Sequence, residues 1–113
     1  MKIVGFWKIN TNIEAKKLGE VAAKLLEKGV YPPEGMEIKE WLICPGGKGI
    51  IVAEVPDEKA AYESWAVWTA ALPGYFEWLE MSPAVEAHEA IAIALGSSDK
   101  KKSVRDKGKT GPK

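Results

Sequence analysis

The chain has 113 residues, which is enough for one compact domain and too few for two. Its single cysteine, Cys44, excludes an internal disulfide and a cysteine-rich zinc site and agrees with a reducing cytoplasm. No apolar run approaches the roughly 18 residues of a membrane span, so we expect a soluble, cytoplasmic protein without a membrane partner.

The first predicted strand runs from Lys2 to Ile9 and has apolar residues, among them Trp7, on both of its faces. Such a strand is typical of the centre of a sheet that is covered on both sides. Thr11 and Glu14 then have the spacing of a capping box. Apolar residues at helical spacing follow over 18–25, so the pattern predicts a first helix.

A rigid turn, Tyr31–Gly35, contains two consecutive prolines that neither a helix nor an internal strand accommodates. After it, Met36–Ile43 alternates as a second strand. Cys44–Gly49 is predicted to be a hairpin turn that leads into a third strand, Ile50–Val55. The glycines and lysine of this turn do not have the spacing of a phosphate-binding loop, and no helix follows them.

The second helix is predicted to begin after Asp57, a natural N-cap, and to end at Pro73. Tyr75–Met81 forms the fourth predicted strand. The apolar stripe of the helix has members at i, i+4, i+7 and i+11: Ala61, Trp65, Trp68 and Leu72.

Ser82 and Pro83 have the order of an N-cap and a first helical residue, which predicts a short third helix over Pro83–Leu95. The alternation of apolar residues near its end leaves a strand open for 91–95. We therefore expect one domain over residues 1–96 and a disordered tail over 97–113. The net charge of zero divides into −5 on residues 1–96 and +5 on the tail.

The order strand, helix, strand, strand, helix, strand predicts an α+β fold of the ferredoxin-like βαββαβ type. Right-handed crossovers then give a four-stranded antiparallel sheet with two helices on one face, followed by the short C-terminal helix. The other face of the sheet would expose aromatic residues, which a monomer rarely does. Two sheets packed face to face would bury them, so we predict a homodimer that closes an α/β barrel.

Several features of the sequence resemble a family of small uncharacterised prokaryotic proteins of the dimeric α/β-barrel, ferredoxin-like superfamily. They are Trp7 in the first strand, the Pro32–Gly35 turn, the Gly47–Gly49 hairpin and the run from Trp65 to Trp68. The resemblance covers about residues 1–85 and implies the fold and the dimer. Members of the family have no established activity, and some relatives in the superfamily are cofactor-free monooxygenases, isomerases or haem proteins.

Candidate ligand-binding residues are Trp7, Lys39, Trp41 and Trp68, whose side chains would line an apolar pocket. The alternative is that the tryptophans are ordinary core residues, and the pattern does not fix which sheet face Trp7 and Trp41 occupy. Glu54, a carboxylate in an apolar strand, is the candidate catalytic base if it is buried. Solvated strand edges are the alternative for Glu54 and Lys39.

Three functions remain open at this point. The first is a homodimer that binds a small apolar or aromatic molecule in a tryptophan-lined pocket, with no cofactor and no metal. The second is a cofactor-independent enzyme of the monooxygenase or isomerase kind that uses Glu54. The third is a nucleic-acid accessory protein that acts through its basic tail, although the acidic body argues against nucleic acid as a partner.

Overall fold

The computed structural model describes residues 1–96, and the predicted tail, 97–113, lies outside the described residues. Seven elements follow one another in the chain: β1 (Lys2–Ile9), α1 (Ala15–Glu27), β2 (Glu37–Ile43), β3 (Lys48–Glu54), α2 (Glu58–Ala71), β4 (Phe76–Pro83) and α3 (Ala87–Ala94). The predicted ferredoxin-like order is confirmed. No helix within residues 1–96 is long and apolar enough to cross a membrane.

The four strands form one antiparallel sheet in the order β2, β3, β1, β4. Burial alternates along β1, where Ile3 and Trp7 are buried and Phe6 is exposed. Leu18 of α1 and Trp68 of α2 belong to the same buried cluster as these two residues. Both helices therefore cover one face of the sheet, here called the helix face, and the opposite face is the open face.

The helix termini differ from the predicted ones in two places. The predicted capping box at the start of α1 is wrong, because the N-cap is Glu14 and no side chain caps it. Asp57 is confirmed as the cap of α2, since its Oδ1 accepts a hydrogen bond from the Ala60 amide at 2.9 Å. The stripe of α2 with the lowest exposure consists of Ala60, Ser64 and Trp68.

The predicted helix opening at Ser82 and Pro83 is also wrong. Both residues extend β4, with Pro83 opposite Ile3 of β1. An edge strand tolerates proline because one side of its backbone has no strand to pair with. The third helix begins only at Ala87, where Glu86 and Glu89 form a capping box, and it leaves no strand over 91–94.

A β-bulge in β2 changes which of its residues share a face. The register shifts between Ile38, opposite Ala53, and Glu40, opposite Val52. Trp41 is opposite Ile51 and so lies on the helix face. The strict alternation predicted for this strand would have put Ile38 and Trp41 on opposite faces, whereas the extra residue in the bulge brings them to the same one.

Candidate functional site

A cavity of about 300 Å³ lies between the helix face of the sheet and the two covering helices. Gly5 and Ile51 contribute to it from the sheet, and Leu18 and Ser64 contribute from the helices. None of the described residues that line the cavity carries a charged side chain. The aromatic residues of its wall are Trp7, Tyr31, Trp41, Trp65, Trp68, Tyr75 and Phe76.

Six of these side chains form one connected group, here called the aromatic cluster: Trp7, Tyr31, Trp41, Trp68, Tyr75 and Phe76. Trp68 is its hub, with ring centroids 5.1 Å from Tyr31, 5.2 Å from Tyr75 and 6.2 Å from Trp41. These pairs meet edge to face, the geometry that aromatic quadrupoles favour. The cluster fixes the shape of the cavity wall.

Trp7 lies over a glycine on the neighbouring strand. Gly49 is opposite Trp7 in the β1–β3 register. A Cβ atom built on Gly49 would overlap the indole ring at Cε2 and Cζ2. The missing side chain at this position therefore makes the space that the Trp7 ring occupies.

The cavity opens to solvent beside α1. Gly19 of α1 and Ile43 at the end of β2 both line it, and both are exposed. A Cβ atom at Gly19 would meet nothing within 4 Å. Small residues on this side of the helix leave an opening through which a molecule could reach the aromatic cluster.

The hydroxyl groups of Tyr75 and Ser64, which both line the cavity, donate hydrogen bonds to backbone carbonyl groups. The Tyr75 hydroxyl donates a hydrogen bond to the Leu18 carbonyl at 3.0 Å and thereby joins the start of β4 to α1. The Ser64 hydroxyl donates to the Ala61 carbonyl at 2.6 Å within α2. Burial raises the pKa of both Tyr31 and Tyr75, because the charged phenolate is poorly solvated there.

Three of the four predicted ligand-binding residues line the cavity: Trp7, Trp41 and Trp68. Lys39 does not, because it lies at the bulge of β2, where its ammonium is 3.1 Å from a Glu37 carboxylate oxygen. Trp41 is only half-buried, whereas Trp7 and Trp68 are buried. The structure thus brings the three tryptophans together and leaves the lysine at the surface.

Glu54, the predicted base, lies away from the cavity. It pairs in register with Lys2 on the open face, and its carboxylate is 3.5 Å from the Lys2 ammonium and 3.4 Å from the amino group of Met1. Its side chain retains 39% exposure. The expectation of a buried carboxylate at this position is therefore wrong, because both partners lie at a solvated end of the sheet.

Tyr31 is one of the cavity residues that were not predicted from the sequence to bind a ligand. It follows the end of α1, and its amide donates a hydrogen bond to the Leu25 carbonyl at 3.1 Å. Gly29, with a φ of 71°, reverses the chain just before it. A glycine C-cap followed by an aromatic residue could have signalled that the side chain folds back onto the helix.

A model of a protein family of unknown function matches the sequence, in agreement with the resemblance described above. The matching model covers residues 1–97, so it includes the third helix, which the resemblance over residues 1–85 left out. No curated protein matches the sequence.

Several solved structures are similar in fold. A candidate antibiotic biosynthesis monooxygenase from Nitrosomonas europaea shares 10% identity over 76% of this chain and 100% of its own, with a TM-score of 0.49. An uncharacterized NIPSNAP domain protein from Burkholderia xenovorans shares 16% identity over 77% and 95% of the two chains, with a TM-score of 0.48. On the evidence of the family model, the chain belongs to the family described as Domain of unknown function (DUF3303).

Proposed function

We propose that the protein is a cytoplasmic homodimer that binds a small apolar or aromatic molecule in the cavity of each subunit. The observation that carries this proposal is a cavity of about 300 Å³ whose wall, among the described residues, is uncharged, mainly apolar and rich in aromatic side chains. Pockets for small molecules are typically concave and apolar, with few polar groups. The exposed free thiol of Cys44 is in keeping with a reducing compartment.

The size of the cavity supports a ligand of more than one ring. An apolar cavity of about 150 Å³ accepts benzene in a model system. This cavity has about twice that volume. A substituted two-ring compound such as isopropylnaphthalene is therefore a suitable probe, because it is neutral and has no hydrogen-bonding group.

Filling the entrance should block this binding. We expect Gly19→Leu to weaken the binding of isopropylnaphthalene at least tenfold in isothermal titration calorimetry, because the new side chain has space to extend into the cavity. Gly19→Ala is the matched control. Both substitutions raise helix propensity by about 1 kcal/mol, so a difference in binding between them reports side-chain size. The proposal would be wrong if the native protein bound no probe or if Gly19→Leu bound it equally well.

The homodimer part of the proposal rests on the open face. Phe6 is 46% exposed there, Leu42 54% and Trp78 42%. Register places Leu42, Ile50 and Phe6 in one row across three strands. Adjacent exposed apolar side chains of this size usually mark a protein contact. A second copy of the same sheet would supply a matching apolar surface across a two-fold axis.

A charge at Phe6, on the β1 end of that row, should separate the subunits. We expect Phe6→Glu to turn a dimer into a monomer in size-exclusion chromatography with light scattering at micromolar concentration, since the new carboxylate lies opposite Glu80 and would be buried against the partner. Tyr62→Glu, at an exposed position of α2, is the control and should leave the dimer intact. A monomeric native protein would rule out this interface.

The enzyme alternative gains no support from the cavity. Among the described lining residues there is no carboxylate, imidazole or thiol that could move a proton. His88 is exposed on α3, and Glu54 pairs with cations on the open face. A binding function is thus the one that the geometry favours.

A further inference from the structure

Three residues that line the cavity carry a hydrogen-bond donor in a side chain that is almost fully buried. Trp7 is 7% exposed, Tyr31 4% and Trp68 6%. Within residues 1–96, the hydroxyl groups that donate hydrogen bonds are those of Ser64, Thr69 and Tyr75. The Tyr31 hydroxyl and the indole N–H groups of Trp7 and Trp68 donate no hydrogen bond to any of these described residues. Buried donors are normally paired, and an unpaired one costs free energy.

Tyr31 is held in position by its ring and not by its hydroxyl. The ring meets Trp41 edge to face at 5.4 Å and Trp68 at 5.1 Å. Burial alone raises the pKa of this hydroxyl, and no hydrogen bond adds to the effect. The group stays protonated throughout the neutral pH range and keeps its hydrogen available for donation.

The charge of the cavity limits what could accept that hydrogen. No lysine or arginine is among the described residues that line the wall, so a carboxylate bound there would have no counter-charge from them. A cationic ligand would also be buried without a counter-charge, because none of the described lining residues carries a carboxylate. A neutral acceptor satisfies the unpaired donors at the lowest cost in solvation.

We infer that the ligand is a neutral ring compound that carries a hydrogen-bond-accepting oxygen, such as a carbonyl oxygen, and that the Tyr31 hydroxyl donates to this oxygen. The inference rests on the proposed function, because it concerns the same cavity. The rings of the ligand would contact Trp7, Trp41 and Trp68. The Tyr31 hydroxyl would then orient a molecule that apolar contact alone would hold in several ways.

Matched probes test this assignment. Acetylnaphthalene and isopropylnaphthalene have nearly the same shape, but only the first has an acceptor oxygen, and naphthoate adds a negative charge. We expect Tyr31→Phe to raise the ratio of the dissociation constant of acetylnaphthalene to that of isopropylnaphthalene by roughly three- to tenfold, the range of one net hydrogen bond. Tyr62→Phe, at an exposed tyrosine outside the cavity, should leave the ratio unchanged.

The two probes differ in hydration, but this difference is the same for the native protein and the variant. It therefore cancels when the two ratios of dissociation constants are compared, as in a double-mutant cycle. An unchanged ratio in Tyr31→Phe, with isopropylnaphthalene still bound, would overturn the role of Tyr31 and leave the proposed pocket standing. Naphthoate binding as tight as that of acetylnaphthalene would overturn the requirement for a neutral ligand. Failure of both neutral probes to bind the native protein would reject the pocket function and this inference together.

A second test uses the native protein alone and therefore does not require that a variant folds. The carbonyl stretching band of bound acetylnaphthalene should move to lower frequency in the native protein relative to the band in hydrocarbon solvent, because a hydrogen bond weakens the C=O bond. A band at the hydrocarbon position, for a bound probe, would show that no donor reaches the oxygen and would contradict the inference.

Discussion

Replacing Gly49 by alanine is expected to lower the free energy of unfolding by about 3 kcal/mol, the upper range for overpacking a core. The added methyl group would overlap the Trp7 indole, which lies against the sheet at this point. Trp7 also contacts Phe76, with ring centroids 6.2 Å apart, so the indole cannot move without disturbing its neighbour. Urea unfolding followed by tryptophan fluorescence would measure the change.

Gly46→Ala is the control for this prediction, because Gly46 lies in the same hairpin and a Cβ atom there meets nothing within 4 Å. Its cost should be confined to the strain of a φ of +92°, roughly 1–2 kcal/mol for a residue with a side chain. Combining Gly49→Ala with Trp7→Phe should recover part of the loss, since the smaller ring gives space to the methyl group. If Gly49→Ala cost no more than Gly46→Ala, the packing of Trp7 described above would be incorrect.

Truncation of Trp68 should have the largest effect of any single aromatic residue. Trp68→Ala is expected to cost about 4 kcal/mol, within the usual range for a buried tryptophan. The indole contacts four other rings, those of Tyr31, Trp41, Tyr75 and Phe76. Its loss would leave a void that the cluster cannot fill, and urea unfolding at a fixed protein concentration would measure the cost.

Tyr62→Ala provides the comparison, because Tyr62 is an aromatic residue of the same helix that is 65% exposed. Its effect should stay below about 1 kcal/mol, as for most surface substitutions. Trp65 is intermediate in burial and contacts only Tyr62 among the ring pairs of residues 1–96. Equal costs for Trp68→Ala and Tyr62→Ala would show that Trp68 is not the hub of the aromatic cluster.

The order of helices and strands could be predicted from the sequence because each element carries its own local signals. Asp57 caps α2 as expected, and Gly29 ends α1 with a positive φ. Pro83 misled the prediction for a physical reason, since proline suits both the first turn of a helix and the end of an edge strand. Only pairing with Ile3 of β1, which is distant in the chain, distinguishes the two.

The candidate site was predicted less completely than the fold. The alternation of side chains along a strand shows which residues share a face of the sheet, but it does not show which face the helices cover. Trp7 shares a face with Ile3, but Val4 and Phe6 on the other face are equally apolar. Lys39 was misplaced because a bulge has no reliable sequence signal. Trp65 and Trp68 belong to the same predicted stripe of α2, and only the structure shows that Trp68 is the more deeply buried of the two.

The aromatic cluster joins residues that are far apart in the chain, because β1 pairs with β3 on one side and β4 on the other. Trp7 meets Phe76, and Tyr31 meets Trp68. Contacts of such long sequence separation form late in folding, after local helices. Rings held at fixed angles give circular dichroism in the near ultraviolet. During refolding, this near-ultraviolet signal should therefore appear later than the far-ultraviolet signal of the helices. Its appearance would report the step at which β4 pairs with β1 and the cavity forms.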